Sequence, residues 1–169
     1  NQLGEIARFR EDWEEAAEHY DGAAGAYEER GGRMGYIPQL NRAMVDIPSG
    51  QIERARATLL RLEEALPRVG LKSRMPRVYL GQAACAAARG DWERWEATYG
   101  RWRDATVDAS QPHSDDAWLA EITGDFACED GQGERARRMF ELSSFLWREL
   151  GRQEELERVR AKISSLAKT

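Results

Sequence analysis

Apolar residues recur along this chain at intervals of three and four, the spacing that gathers side chains on one face of an α-helix. No β-branched run alternates with polar residues, and no Asn-Gly hairpin turn occurs, so strands are not expected. Glycines punctuate the periodic segments at Gly31-Gly32, Gly50, Gly70, Gly90, Gly131 and Gly151. Glycine most easily takes the left-handed conformation that closes a helix. The five prolines, Pro38, Pro48, Pro67, Pro76 and Pro112, fall at or near the resulting helix ends, where a missing amide is tolerated. The pattern predicts nine helices, over about 1–10, 12–30, 34–48, 50–66, 72–89, 91–108, 114–129, 132–150 and 153–167. Asp12 with Glu15 reads as a capping box for the second helix, and Ser114 as the N-cap of the seventh. Short connections make consecutive helices antiparallel neighbours.

A longer period runs beneath this pattern. Gly4, Ala43, Ala83 and Gly124 are small, and each precedes a turn and a second helix carrying a further anchor, at Ala16, Ala55, Trp95 and Ala136. The second-helix anchors are 39, 40 and 41 residues apart. Small residues let two backbones approach where helices cross, while Leu3, Trp13 and Tyr20, or Leu59 and Leu62, or Tyr99, or Phe140, fill the space around the crossing. Trp95 departs from the rule, and with Trp102 it predicts a wider crossing or a rotated helix in the third unit.

Leu3-Gly4, Trp13, Ala16, Tyr20 and Ala23 resemble a tetratricopeptide repeat, with the skeleton returning in the later units. The spacing near 40 exceeds the usual ~34 of that family and also suits HEAT-like repeats; longer helices, as in arrays attached to bacterial regulators, account for it. The resemblance implies a right-handed superhelical solenoid. Residues 1–150 would form four helix pairs (about 1–32, 33–70, 71–110 and 111–150), and 151–169 a capping helix with Leu156, Val159, Ile163 and Leu166 on one face. It implies further that the first helix of each pair lines a concave, peptide-binding groove. Matching offsets place Glu5 and Phe9, then Leu40, Asn41 and Met44, then Arg77, then Trp118, Glu121 and Asp125 there. Some members clamp a C-terminal carboxylate with Lys and Asn. Glu5 and Gly81 stand where that clamp needs Asn and a base, so the chaperone-tail mode is not expected. The groove reads as apolar around Phe9, Leu40 and Met44 and acidic around Glu121 and Asp125, suiting a segment with apolar anchors and some basic character.

Composition narrows the chemistry. A formal net charge of −5 over 169 residues disfavours general nucleic-acid binding. No stretch approaches the ~20 apolar residues of a membrane span. Cys85 and Cys128 are too few for a disulfide framework, and a reducing cytoplasm is expected. Of 25 basic residues only Lys72, Lys162 and Lys168 are lysines, leaving 25 − 3 = 22 arginines, which reads as a GC-rich bacterial genome. His19 and His113 are the only histidines and lack metal-ligand spacing. His113-Ser114-Asp115-Asp116 holds the residue types of a catalytic triad, but a helix-capping turn explains it. Gly131-Gln132-Gly133 has no preceding strand and no following Lys-Ser/Thr, so it is a turn and not a phosphate loop. No enzyme, metal site or cofactor is expected.

The reading that follows is a protein- or peptide-binding scaffold. Because Asn1 stands already inside a motif, a regulatory piece of a larger bacterial kinase, ATPase or transcription regulator is expected. The alternatives are a receptor for a small ligand or signalling peptide, and a homo-oligomer joined through the ends of the stack.

Overall fold

The computed structural model describes residues 2–28, 32–106 and 112–166. Among them the protein is all-α, with nine helices and no strand: α1 (Gln2–Phe9), α2 (Trp13–Glu28), α3 (Tyr36–Asp46), α4 (Ile52–Arg68), α5 (Met75–Ala87), α6 (Trp92–Thr106), α7 (Ser114–Glu129), α8 (Gly133–Glu149) and α9 (Gln153–Leu166). Two short 3-10 turns, Arg33–Gly35 and Lys72–Arg74, lead into α3 and α5. No described helix is long and apolar enough to cross a membrane. The helix ends expected at residues 1, 29–30, 107–108 and 167, and the Gly31 turn, lie outside the described residues.

One turn geometry closes the first helix of every pair. Glu11, Gly50, Gly90 and Gly131 have φ of 59°, 77°, 67° and 69°. The residue after each sends its N–H back to the end of the helix: Asp12 to Ala7, Gln51 to Asp46, Asp91 to Ala86 and Gln132 to Ala127, at 2.8–3.0 Å. These bonds satisfy carbonyls that a helix end otherwise leaves open. Asp12 also accepts from the Glu15 N–H at 3.2 Å, as the capping pattern requires. At α7 the cap is one residue earlier than expected. His113 is extended and its Nδ1 accepts from the Asp115 N–H at 3.2 Å, while Ser114 is the first helical residue.

The forty-residue period has a physical counterpart. Gly4, Ala43, Ala83 and Gly124 are all buried, and a large side chain sixteen positions after each, Tyr20, Leu59, Tyr99 or Phe140, is buried as well. A Cβ on Gly4 would lie 2.6 Å from the Tyr20 ring, and one on Gly124 would lie 2.5 Å from the Phe140 ring. Ala16, Ala55, Trp95 and Ala136 are all fully buried, and each donates its N–H to the cap carbonyl four residues back. At the far end Leu156 and Val159 of α9 are buried, with Ile163 and Leu166 packed beside them.

The third unit departs where the sequence does. Trp95 stacks on Tyr99 (centroids 5.2 Å apart, planes within 2°), Tyr99 stacks on Trp102 (5.4 Å), and Trp92 meets Trp95 edge-on (6.0 Å). Arg138 of α8 covers this ladder, 4.4 Å from the Tyr99 ring centre. Elsewhere each incoming first helix packs on the second helix before it, α3 on α2 and α5 on α4, whereas α7 meets the preceding pair chiefly through α5. Indoles replace the alanine that would let α6 be approached closely.

Gly124→Ala forces a methyl into the Phe140 ring and is expected to cost about 2 kcal/mol. Gly22→Ala, with open space around the added carbon, should instead stabilise by up to about 1 kcal/mol. Urea unfolding of the two variants compares them, and equal effects would remove the close crossing as the reason for glycine.

Candidate functional site: a buried charge network and the cleft beside it

The residues expected to line an open groove are brought together, but largely onto one another. Glu5 of α1 accepts from Tyr20 Oη and from Asn41 Nδ2, both at 2.9 Å, and pairs with Arg8 at 2.5 Å. Arg8 then reaches across to α7 and donates to Asp115 Oδ1 at 2.8 Å. Arg77 of α5 and His113 stand 3.4 and 3.3 Å from the other oxygen of Asp115. The network therefore joins α1, α2, α3, α5 and α7. Trp118 lies against it, its ring 5.9 Å from Trp13 and 5.3 Å from the Arg8 guanidinium.

Two expected groove residues belong to the interior. Leu40 and Met44 are 1% and 0% exposed, packed among Leu59, Leu62 and Leu80. Their spacing marks a core face, and apolar periodicity alone does not separate a core stripe from a binding stripe. The acidic end is also occupied. Arg158 of α9 makes a forked pair with Glu121 at 2.8 and 2.7 Å, and Lys162 reaches Asp125 at 2.7 Å. Phe9 is the exposed exception, with Arg152, just before α9, 5.7 Å from its ring centre.

Burial sets the electrostatics. It would raise the carboxyl of Asp115, but Arg8, His113 and Arg77 hold it below the ordinary range. Glu121 stays low for the same kind of reason, through Arg158 and Lys162. Burial pushes the Cys85 thiol up to about 12, which makes it unreactive. Burial also carries the carboxyl of Asp116 up to about 7, because Arg77 only partly offsets it and Asp115 repels it. Unlike its neighbour, Asp116 has an oxygen, Oδ1, with no hydrogen-bond partner.

Asp116 lies on a cleft of about 490 Å³ between α5–α6 and α7–α8. Trp102, Leu142, Phe145 and Leu146 form its apolar wall, and Ser73, Arg77, His113 and Glu149 its polar rim. Two buried polar atoms among the lining residues, Asp116 Oδ1 and Trp102 Nε1, lack hydrogen-bond partners, and Arg77 Nε also lacks a hydrogen bond, its ion-pair contact with Asp115 being 3.4 Å long. Phe145 is 49% exposed, unusual for an aromatic ring. Trp102, at the end of the aromatic ladder, brings α6 to this cleft. Of its residues only Arg77 was singled out for binding by the sequence. Asp115-Asp116 reads locally as a capping turn, and nothing in spacing distinguishes Phe145 from a core position. Among the described residues no three His, Cys, Asp or Glu side chains are grouped to hold a metal ion.

Compared with known families the chain matches no family model, and no curated protein matches it.

Arg8→Met leaves Asp115 without its hydrogen-bonded partner and is expected to cost about 3 kcal/mol. The double variant Arg8→Met with Asp115→Leu should cost clearly less than the two single changes together. A double-mutant cycle by urea unfolding reads the difference, and strict additivity would show that the pair is not coupled. For Asp116, a folded pKa near 7 against an ordinary 3.8 means that the folded chain holds the proton more tightly. Ionising it weakens the fold progressively as pH rises from about 4 to about 7. Asp116→Asn should therefore stabilise by on the order of 2 kcal/mol at pH 8 and have far less effect at pH 4, followed as the melting temperature at both pH values.

Proposed function

We propose that this chain is a protein-interaction module built from tetratricopeptide-like helix pairs, and that it holds a peptide segment of a partner protein. The right-handed superhelical path and the four-unit division belong to this reading. The observation that carries it is the cleft beside Asp116: an apolar wall with an exposed phenylalanine, next to buried polar atoms, Asp116 Oδ1 and Trp102 Nε1, that lack hydrogen-bond partners. A binding surface is expected to look like this, since unpaired buried polar atoms cost free energy until a ligand pairs them.

The cleft suits a segment that places an apolar side chain against Phe145, Leu142 and Leu146 and a basic one at Asp116. Binding a cation would favour the ionised carboxylate that burial disfavours. The inner face is the weaker candidate, because Glu5, Asn41, Glu121 and Asp125 already have partners within the chain. A place in the cytoplasm, inside a larger bacterial signalling protein, is consistent with this role. The cleft volume also suits a small amine-bearing ligand, which is the second reading.

Calorimetric titration with an array of short peptides pairing Leu or Phe with Arg or Lys tests the proposal. Phe145→Glu and Asp116→Asn should each weaken the best binders about tenfold, while Glu96→Gln, on the opposite side of the α6–α8 ladder, should not. Peptides that bind the Phe145→Glu variant as well as the unaltered chain would place the site elsewhere.

A further inference from the structure

The outer face of α1 is apolar and open. Leu3 and Ile6, one turn apart, are 60% and 49% exposed. Single exposed apolar side chains are ordinary, but these two occupy positions that the other units cover. Counting from the crossing residues Gly4, Ala43 and Ala83, the counterparts of Leu3 are Arg42 and Gln82, and those of Ile6 are Val45 and Cys85.

Each counterpart lies under the second helix of the unit before it. Val45 is fully buried, in one cluster with Ala16 and Tyr20 of α2. Arg42 pairs with Asp21 of α2 at 3.1 Å. Cys85 is buried on the α5 face that packs on α4, and Gln82 donates to Glu63 of α4 at 2.7 Å. The surface on α1 therefore continues an interface already made twice within the molecule.

We infer that the outer face of α1 is a docking surface for an amphipathic helix, the second helix of a further helical hairpin stacked in the same register. Its chemistry differs from α2 and α4 in one respect. Those helices offer a carboxylate, Asp21 or Glu63, to the polar side chain at the first position. Leu3 stands there in α1, so the docking helix is uncharged at that point and apolar above Ile6. The site is separate from the cleft at Asp116 and does not rest on it. A single eight-residue helix face is also too small to hold two copies of the chain together, given the ~1,200 Å² that stable interfaces bury.

The molecule supplies its own probe. Residues 51–80 joined directly to Gln2 carry α4 and the start of α5 into α1 without a change of register, because positions 81 and 2 are equivalent. With Glu63→Leu in the grafted copy, the added helix matches Leu3. The melting midpoint of this extended chain should rise by about 5 °C. Ile6→Glu should cancel the rise, and the same change in the original chain should move the midpoint by less than about 1 °C. An unchanged midpoint in the grafted chain overturns the proposal. So does sedimentation showing that the original chain is a dimer that Ile6→Glu dissolves, since a second copy would then be the occupant.

Discussion

Every helix pair in this protein depends on one steric condition: where the two helices cross, one of them must present almost nothing. Gly4, Ala43, Ala83 and Gly124 are the small buried residues there, and at Gly4 and Gly124 the ring of Tyr20 or Phe140 fills the space they leave. The turn that follows is equally constrained. It needs a left-handed residue, supplied by glycine three times and by Glu11 once, where a side chain bears the strain of that conformation. With crossing and turn both set, the remaining side chains are free to differ from unit to unit, and they do.

The differences create the two regions of interest. In the first two units the small anchor on the second helix, Ala16 or Ala55, is fully buried and the next first helix packs on that helix. Trp95 breaks the series, stacking with Tyr99 and Trp102 in a ladder that Arg138 of α8 covers. The cleft with Asp116 lies beside that ladder. The carboxylates of Glu5 and Asp115 share Arg8, so residues that the sequence suggested for a groove are used to hold the helices together. A buried ion pair of this kind tolerates the loss of both members better than the loss of one.

The fold was legible in the sequence because its determinants are local. Helix periodicity, glycine turns and the recurrence of small residues act within a few turns of chain, and the nine helices lie where those signals put them. Even the misplaced cap at α7 is an error of one residue, His113 taking the role expected of Ser114. The candidate site was not legible, for the opposite reason. Leu40 and Met44 have the spacing of a groove and the surroundings of a core. Glu121 and Asp125 look free until α9 brings Arg158 and Lys162 to them, 37 residues on. Asp115 and Asp116 are adjacent, yet one is paired from three directions and the other keeps an unpaired oxygen. No local pattern separates those fates, because they are decided by helices that meet only in three dimensions.

The contact between Arg8 and Asp115 spans 107 positions of a chain whose other packing is mostly between sequence neighbours. Linear arrays ordinarily come apart piecemeal, each unit melting at a cost set by the one beside it. A strap between the first helix and the seventh changes that behaviour. The amino-terminal helix, which by length and exposure would be the first to fray, is tied to the first turn of α7. Loosening it leaves a buried carboxylate without its hydrogen-bonded arginine, so fraying of α1 carries a penalty set by α7, far along the chain, and not only by its neighbour α2.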